Sequence, residues 1–388
     1  MEKAPLPPET KLLPSTASRY DGRDSMILAD LPPGDGNKDL LNLYRGILDT
    51  PRLDWNERHR LVRRLGSGGQ GVVFLGEREG ADGFRLPVAL KVFSPERYVD
   101  SLDYEEAMAR MARVAVRVAQ IQQDNLLDVH NFVARDGIRV MEMEWIDGYD
   151  LGRLLTPRML QRVRDRVSDV RWAYLNDVIV TTGSIQPRLK PGIAIAVLRD
   201  CLAALSALHG EGIVHGDIKP SNIMLKRTGN AKLIDIGAAF ERDAAPEKQI
   251  CSLSYAAPEV LEGASGSVQT DLASLGYVLI EMLSGAPPFA GLTRLGELRR
   301  AKQEIVDRLA ETLPDEVVCN ELLMSLITGL IATDPADRFP DAREADLVEE
   351  GAANFQRQLV MGDLASEYDN EIRVWLEELE HSSDSDLL

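Results

Sequence analysis

The stretch HGDIKPSN, residues 215–222, sets Asp217, Lys219 and Asn222 on one short loop. A carboxylate can orient a hydroxyl, an ammonium can neutralise a phosphate in transit, and an amide oxygen can bind a hard cation. The trio therefore suits phosphoryl transfer. Upstream, LGSGGQGVVFLG places Gly66, Gly68 and Gly71 in GxGxxGxV register, closed by Val73. Glycines let a backbone approach phosphates and aim its N–H groups at them, although the spacing alone is a weak signal. The flanks read as strands on both sides, which opposes a strand-turn-helix dinucleotide site. Twenty residues beyond Gly71, VALK ends in Lys91. A lysine in an apolar strand is costly unless paired, and a phosphate and a carboxylate are its natural partners. Downstream, DIG supplies Asp235. Taken singly, Asp217 and Asn222 could cap a turn and Asp235 could mark a strand exit.

The elements that must position these groups fall into two parts. From residue 59, short β-rich runs dominate: RLVRRLG, GVVFLGERE, LPVALKVF and a pair around VHNFVARDGIRVMEMEWI, with a helix expected over 102–122. After residue 190 the patterns are helical: IAIAVLRDCLAALSALHGEG, LASLGYVLIEMLSG and NELLMSLITGLIATD. A β-rich part followed by a helical part predicts an α+β protein of two lobes. The chain of 388 residues has ordinary hydrophobic content, 44%, and no internal repeat. No transmembrane helix or signal peptide is expected. Cys201, Cys251 and Cys319 lie far apart, as reduced thiols of a cytoplasmic protein would. The net charge of −18 argues against nucleic acid as a partner.

That charge is uneven. Residues 344–388 hold 13 Asp/Glu against 2 Arg and read as a solubilising extension. Segment 156–191 is basic, with seven Arg/Lys against three Asp/Glu around Trp172 and Tyr174. It suits either docking of an acidic partner or a solvated face packed on the helical lobe. Tail and insertion are both candidate sites for a regulator. The expected organisation is a disordered segment 1–37, a helical lead-in 38–58 whose KDLLNLYRGIL docks on the adjacent domain, a first lobe 59–146, a second lobe 147–345 with an insertion at 156–191, and an acidic extension 346–388.

In order and at these intervals, the motifs over 59–345 resemble those of eukaryotic-type (Hanks-type) Ser/Thr protein kinases, with a flavour of the bacterial members. The resemblance implies the two-lobed kinase fold, with ATP and Mg²⁺ as cofactors and a protein Ser/Thr hydroxyl as acceptor. It assigns Lys91 to the α- and β-phosphates, Asp217 to the acceptor hydroxyl as base, Lys219 to the γ-phosphate, and Asn222 and Asp235 to Mg²⁺. It also places Met143 as gatekeeper, the backbone of Glu144 and Ile146 against adenine, Asp150 at the ribose, and Val73, Ala89 and Met224 around the ring.

HGD followed by Asn also occurs in small-molecule kinases. Against that reading stand YAAPE, where Glu259 resembles the carboxylate that pairs with a distant Arg, here Arg338, and DLASLG, where Asp271 would hold the catalytic loop. Ser252 occupies the position of the Thr that touches the catalytic Asp and Lys. The resemblance further requires a carboxylate from the 102–122 helix to pair with Lys91. On a helical wheel Tyr104, Met108, Met111, Ala115 and Val118 form the apolar face, Glu106 lies opposite, and Glu105 sits at its edge, so Glu105 is the candidate. Its interval to DNLLDV is longer than the family's. Either the helix carries extra turns or the ion pair is absent, and the second case would make the chain an ATP-binding pseudokinase. Finally, Gly216 replaces an Arg that in many such kinases reads an activation-segment phosphate, and residues 238–251 contain no Ser, Thr or Tyr. A kinase that needs no activation-segment phosphorylation is expected, controlled through its N-terminal segment, acidic tail or partners.

Overall fold

In the computed structural model, residues 26–27, 38–49, 52–54, 58–246, 249–349, 351–360 and 368–380 are described. Two short strands, β1 (Met26–Ile27) and β2 (Arg52–Asp54), flank a helix, α1 (Lys38–Leu48). Beyond them comes a sheet: β3 (Arg58–Gly68), β4 (Gly71–Glu79), β5 (Arg85–Phe93), β6 (Val129–Arg135) and β7 (Ile138–Glu144), with α2 (Ser101–Val118) between β5 and β6. The sheet is antiparallel in the order β2-β3-β4-β5-β7-β6.

The strand β5 shows why this sheet reads as an apolar run and not a clean alternation. It is covered on both faces. Val88, Leu90 and Val92 pack outward against Tyr44 and Ile47 of α1, together with Ile138 and Val140. Ala89 and Phe93 join the core that contains α2. Side chains alternate along a strand, so Lys91 shares the inner face with Ala89 and Phe93. Helix α2 starts where the Asp100 carboxylate accepts the Asp103 N–H at 2.9 Å. It buries Tyr104, Met108, Met111, Ala115 and Val118, the apolar face expected from the wheel, and Val114 besides.

The second lobe is helical. Its central helices are Pro191–Gly210, Val268–Ser284 and Glu321–Ile331. The first is long and apolar enough to cross a membrane, against expectation, but most of it is buried inside the fold. The second is held by a capping box between Ser267 and Thr270 and ends at Gly285 in the left-handed region. No cysteine is in a disulfide among the described residues; Cys201 and Cys251 are buried and Cys319 is exposed.

Two expectations about the periphery are corrected. The basic insertion forms helices Pro157–Arg164 and Asp169–Val178, and part of the acidic extension forms the helix Tyr368–Glu380. Tyr368, Ile372, Trp375, Leu376 and Leu379 are buried in the second-lobe core, so this part of the extension is a structural element and not a solubilising tail. Arg171 pairs with Glu378 at 2.7 Å and with Glu371 at 3.4 Å, and Arg166 donates to the Leu379 carbonyl. The acidic partner of the insertion is the chain's own C-terminal helix. The second correction concerns residues 1–37, expected to be disordered. Met26 and Ile27 pair antiparallel with Cys251 and Ile250 of the activation segment, and the rest of 1–37 lies outside the described residues.

Candidate active site

The loop that carries Asp217 is fixed from below by Asp271. One Asp271 oxygen accepts the His215 N–H at 2.8 Å and lies 3.0 Å from His209 Nε2; the other accepts the Gly216 N–H at 2.9 Å. Gly216 has φ of +76°, and a Cβ there would stand 3.0 Å from the Ala238 carbonyl oxygen. Any side chain, an arginine included, would be strained at this position.

Asp217 is buried at the centre of a network. Its carboxylate lies 2.7 Å from Lys219 Nζ, and it accepts the Ser252 N–H at 2.9 Å. Lys219 also donates to Ser252 Oγ at 3.0 Å. Asn222 Nδ2 donates to the Asp217 carbonyl at 2.8 Å and to its carboxylate at 3.3 Å. With its N–H groups used in this way, Asn222 has its amide oxygen left to offer a metal.

Above the loop, β3 and β4 form the glycine-rich hairpin, with Gly68 paired to Gly71. A Cβ on Gly71 would lie 2.0 Å from the Val92 carbonyl oxygen, so only glycine lets β4 run this close to β5. At Gly66 and Gly68 an added Cβ would meet nothing within 4 Å. These two positions leave open space along the hairpin, which a phosphate chain could occupy.

Lys91 is buried, and its Nζ pairs with Asp235 and donates to Gln70 Oε1 at 2.6 Å. Burial would raise the Asp235 pKa, but the Lys91 ammonium, the Gly237 N–H and Lys219 outweigh it and hold the carboxyl at about 2. Asp235 itself sits in the left-handed region, φ 64°, which turns its carboxylate onto the Gly237 N–H at 2.9 Å.

The expected adenine contacts line up along the strands. Ala89 is paired with Met143, both buried, and Val73 is paired with Lys91. Met224 is paired with Asp150 on the opposite side. Glu144 donates its N–H to the Asp128 carbonyl at 3.0 Å. Ile146 packs partly buried against the core. Asp150 caps the helix Leu151–Leu154 by accepting the Arg153 N–H at 2.9 Å, so a ribose contact would share that carboxylate.

Glu105 is the residue that the structure does not bring to the site. It is exposed, as is Glu106, and no ion pair joins Lys91 to α2 among the described residues. The inward face of α2 is filled by Met108 and Met111 instead. Gln70 takes up part of that role, and only its place in the turn of the glycine-rich motif could have pointed to it.

Farther out, Arg338 and Glu259 form a two-pronged pair, Nη1–Oε1 at 2.6 Å and Nη2–Oε2 at 2.9 Å, as expected from YAAPE and DPADRF. A six-stranded lobe with a glycine-rich hairpin, a helical lobe carrying a carboxylate loop, and a lysine between them define a two-lobed protein-kinase fold. The protein kinase domain family matches residues 59–346, and the chain belongs to it.

Among its relatives are bacterial Ser/Thr kinases. The chain is 25% identical to a probable serine/threonine-protein kinase PknB of Lactococcus lactis over 74% of its length and 41% of the relative's. It is 28% identical to serine/threonine-protein kinase PknD of Mycobacterium tuberculosis, over 77% and 40%. It is 30% identical to PknE of Mycobacterium bovis, over 72% and 44%. It therefore spans about two fifths of these relatives. The crystal structure of the M. tuberculosis PknI kinase domain is 26% identical, covers 74% of this chain and 92% of its own, and superposes with a TM-score of 0.48.

Proposed function

We propose that this chain is a Ser/Thr protein kinase that moves the γ-phosphate of ATP to protein hydroxyls. The observation that carries the reading is the Asp217–Lys219–Ser252 triangle. The base and the phosphate-neutralising lysine are tied to the segment on which a peptide acceptor would lie. A small-molecule kinase has no use for that tie, nor for the Glu259–Arg338 brace beneath it.

In this reading Asp217 orients the acceptor hydroxyl and takes its proton, while Lys219 and Lys91 offset charge on the phosphate oxygens. Asn222 and Asp235 would hold Mg²⁺, which when bound neutralises phosphate charge. Oxygen donors in small number suit that ion, which keeps water and phosphate ligands for itself. No group of three or more His, Cys, Asp or Glu side chains could bind a metal unaided among the described residues. Met143, the carbonyl of Glu144 and the backbone of Ile146 would meet adenine, Asp150 the ribose, and Val73, Ala89 and Met224 the ring faces. The reduced cysteines suit a cytoplasmic domain.

Independence from activation-segment phosphorylation is part of the proposal, supported by the strained position of Gly216. The strand pairing of Met26–Ile27 with Ile250–Cys251 lies next to Ser252 and supports control through the N-terminal segment. That no α2 carboxylate pairs with Lys91 among the described residues favours one competing reading, a pseudokinase that binds ATP without turnover. Labelled ATP, Mg²⁺ and a generic Ser/Thr-containing protein decide between them. Label on phosphoserine or phosphothreonine is expected. ATP binding without transfer would establish the pseudokinase, and label on metabolites alone would overturn the protein acceptor.

A further inference from the structure

Arg97 lies in the connection between β5 and α2 and reaches back to the tip of the glycine-rich hairpin. Its Nε donates to the Gly69 carbonyl at 2.9 Å. Its Nη2 would stand 3.1 Å from a Cβ on Gly69. Its Nη1 is buried and has no hydrogen-bond partner among the described residues. A buried guanidinium donor without an acceptor is costly, and it marks a place where an acceptor is expected to arrive.

The surroundings say what kind of acceptor. Lys91 is paired with Asp235, and Lys219 with Asp217. Burial lowers the Arg97 pKa, and the charges of Tyr98, Asp235 and Asp217 oppose that shift. Arg97 is thus a third cation within electrostatic range of two carboxylates that already have cationic partners. The surplus positive charge and the unmet N–H suit an anion, and a fork of N–H donors suits phosphate in particular.

Position along the cleft says which phosphate. The adenine end is marked by Ala89, paired with Met143. The hairpin tip is fastened at the other end of β5, where the Ser94 N–H donates to the Gln70 carbonyl at 3.0 Å. From Ala89 to Phe93 the strand advances about 13 Å, at about 3.3 Å per residue. That is comparable with the reach from a purine to the outermost phosphate of an extended nucleoside triphosphate. Lys91 lies midway along this path and Arg97 beyond its far end.

We propose that Arg97 binds the terminal phosphate of ATP through its free Nη1, so that the site distinguishes ATP from ADP. The inference rests on the nucleotide site proposed above. With no α2 carboxylate paired to Lys91 among the described residues, Arg97 gives the hairpin tip a further fastening beside the Lys91–Gln70 and Ser94–Gln70 bonds. Binding of the triphosphate would satisfy both the arginine and the hairpin it holds.

Calorimetric titration of the full chain with Mg–ATP and with Mg–ADP tests this without recourse to turnover. The wild type should prefer ATP. Arg97→Ala should weaken ATP binding roughly tenfold or more, the order of one lost charge-assisted contact, and change ADP binding by less than about twofold. Arg97→Lys, which keeps the charge, should restore part of the preference, and Arg97→Gln reads the same ratio if the alanine variant does not fold. Equal weakening for both nucleotides would mean that Arg97 only props the hairpin, and no weakening would mean that it is idle; either result overturns the assignment. A wild type that binds neither nucleotide would overturn the proposed function, and this inference with it. A wild type that binds ATP with an unchanged ratio in the variants overturns the inference alone.

Discussion

The Ser252 backbone N–H donates to the Asp217 carboxylate at 2.9 Å, and both residues are buried. Asp217, the proposed base, is thereby fixed to the segment that carries Ser252 as well as to its own loop. Asp271 and Asn222 fix it from the other side. A carboxylate bonded to Ser252, Lys219 and Asn222, on a loop whose backbone Asp271 holds, keeps its orientation without help from a bound ligand.

Asp217→Asn keeps the size of the side chain and removes the proposed base. Transfer to a protein substrate should fall by at least about 10²-fold, while ATP affinity, set by other residues, should stay within about twofold. A labelled-ATP assay beside calorimetry checks both halves. Full turnover in the variant would show that the loop is misassigned.

Since Glu105 and Glu106 are both exposed, Glu105→Gln and Glu106→Gln should each leave activity within about twofold, as surface pairs contribute little. Lys91→Met should abolish ATP-dependent transfer, and Gln70→Ala should raise KM for ATP more than it lowers kcat. A strong loss at Glu105 alone would mean that α2 rotates to deliver that carboxylate during turnover.

The gap between Glu105 and Lys91 shows how far a wheel can be read. The apolar set Tyr104, Met108, Met111, Ala115 and Val118 was legible because burial follows period, and every member is buried. What a wheel does not contain is the rotation of the helix against its sheet, which packing decides. Residues at the edge of the face, such as Glu105, are where that rotation matters most. The loop residues Asp217, Lys219 and Asn222, with Asp271 and the Glu259–Arg338 pair, were legible through the resemblance of their motifs to those of protein kinases. Gln70 and Arg97 were not: the turn of the glycine-rich motif marks where Gln70 lies but not that its side chain reaches Lys91, and nothing in a connecting loop says that Arg97 reaches the hairpin. The C-terminal helix was obscured by its charge, although Ile372, Trp375, Leu376 and Leu379 recur at helical spacing and carried the signal.

Trp375 is 2% exposed and belongs to the second-lobe core. Trp375→Ala should therefore cost about 3–5 kcal/mol of stability. Arg171→Ala, at a partly exposed ion pair, should cost at most about 1 kcal/mol. Denaturant titrations of the two variants give the ratio. A near-silent Trp375→Ala would mean that the helix Tyr368–Glu380 is not docked in solution.

Lys302 is fully buried, its Nζ donating to the Ser254 carbonyl at 2.8 Å and lying 4.2 and 4.0 Å from the Tyr277 and Phe289 ring centroids. Burial pulls its pKa well below the ordinary lysine value, with Cys251 and Glu259 acting against the shift. Between the folded and unfolded pKa values the unfolded chain binds the extra proton, so this group makes stability rise with pH toward about 10. Lys302→Met removes the titration. Melting temperatures of wild type minus variant should increase from pH 7 to pH 10, and a flat or falling difference would rule out the buried titration.

Activation is the last point, and it joins a backbone angle to a composition. A phosphate on an activation segment orders it through arginine contacts, the arginine often preceding the catalytic Asp. Here that position is Gly216, whose φ of +76° and 3.0 Å approach to the Ala238 carbonyl disfavour any side chain. The segment from Ala238 to Cys251 offers no hydroxyl to modify. Lys248, a candidate substitute cation, lies outside the described residues. The ordering that a phosphate would supply is present in unmodified contacts: Ser252 on Asp217 and Lys219, Lys302 on the Ser254 carbonyl, and Tyr255 on Glu281 at 2.5 Å. Protein treated with phosphatase, and shown by mass spectrometry to be unmodified, should phosphorylate a substrate at full rate with no lag. A lag that prior phosphorylation of Ser252 or Ser254 abolishes would refute this. The Ser252 hydroxyl is itself held by Lys219, so a phosphate there would have to break this contact before it could order anything.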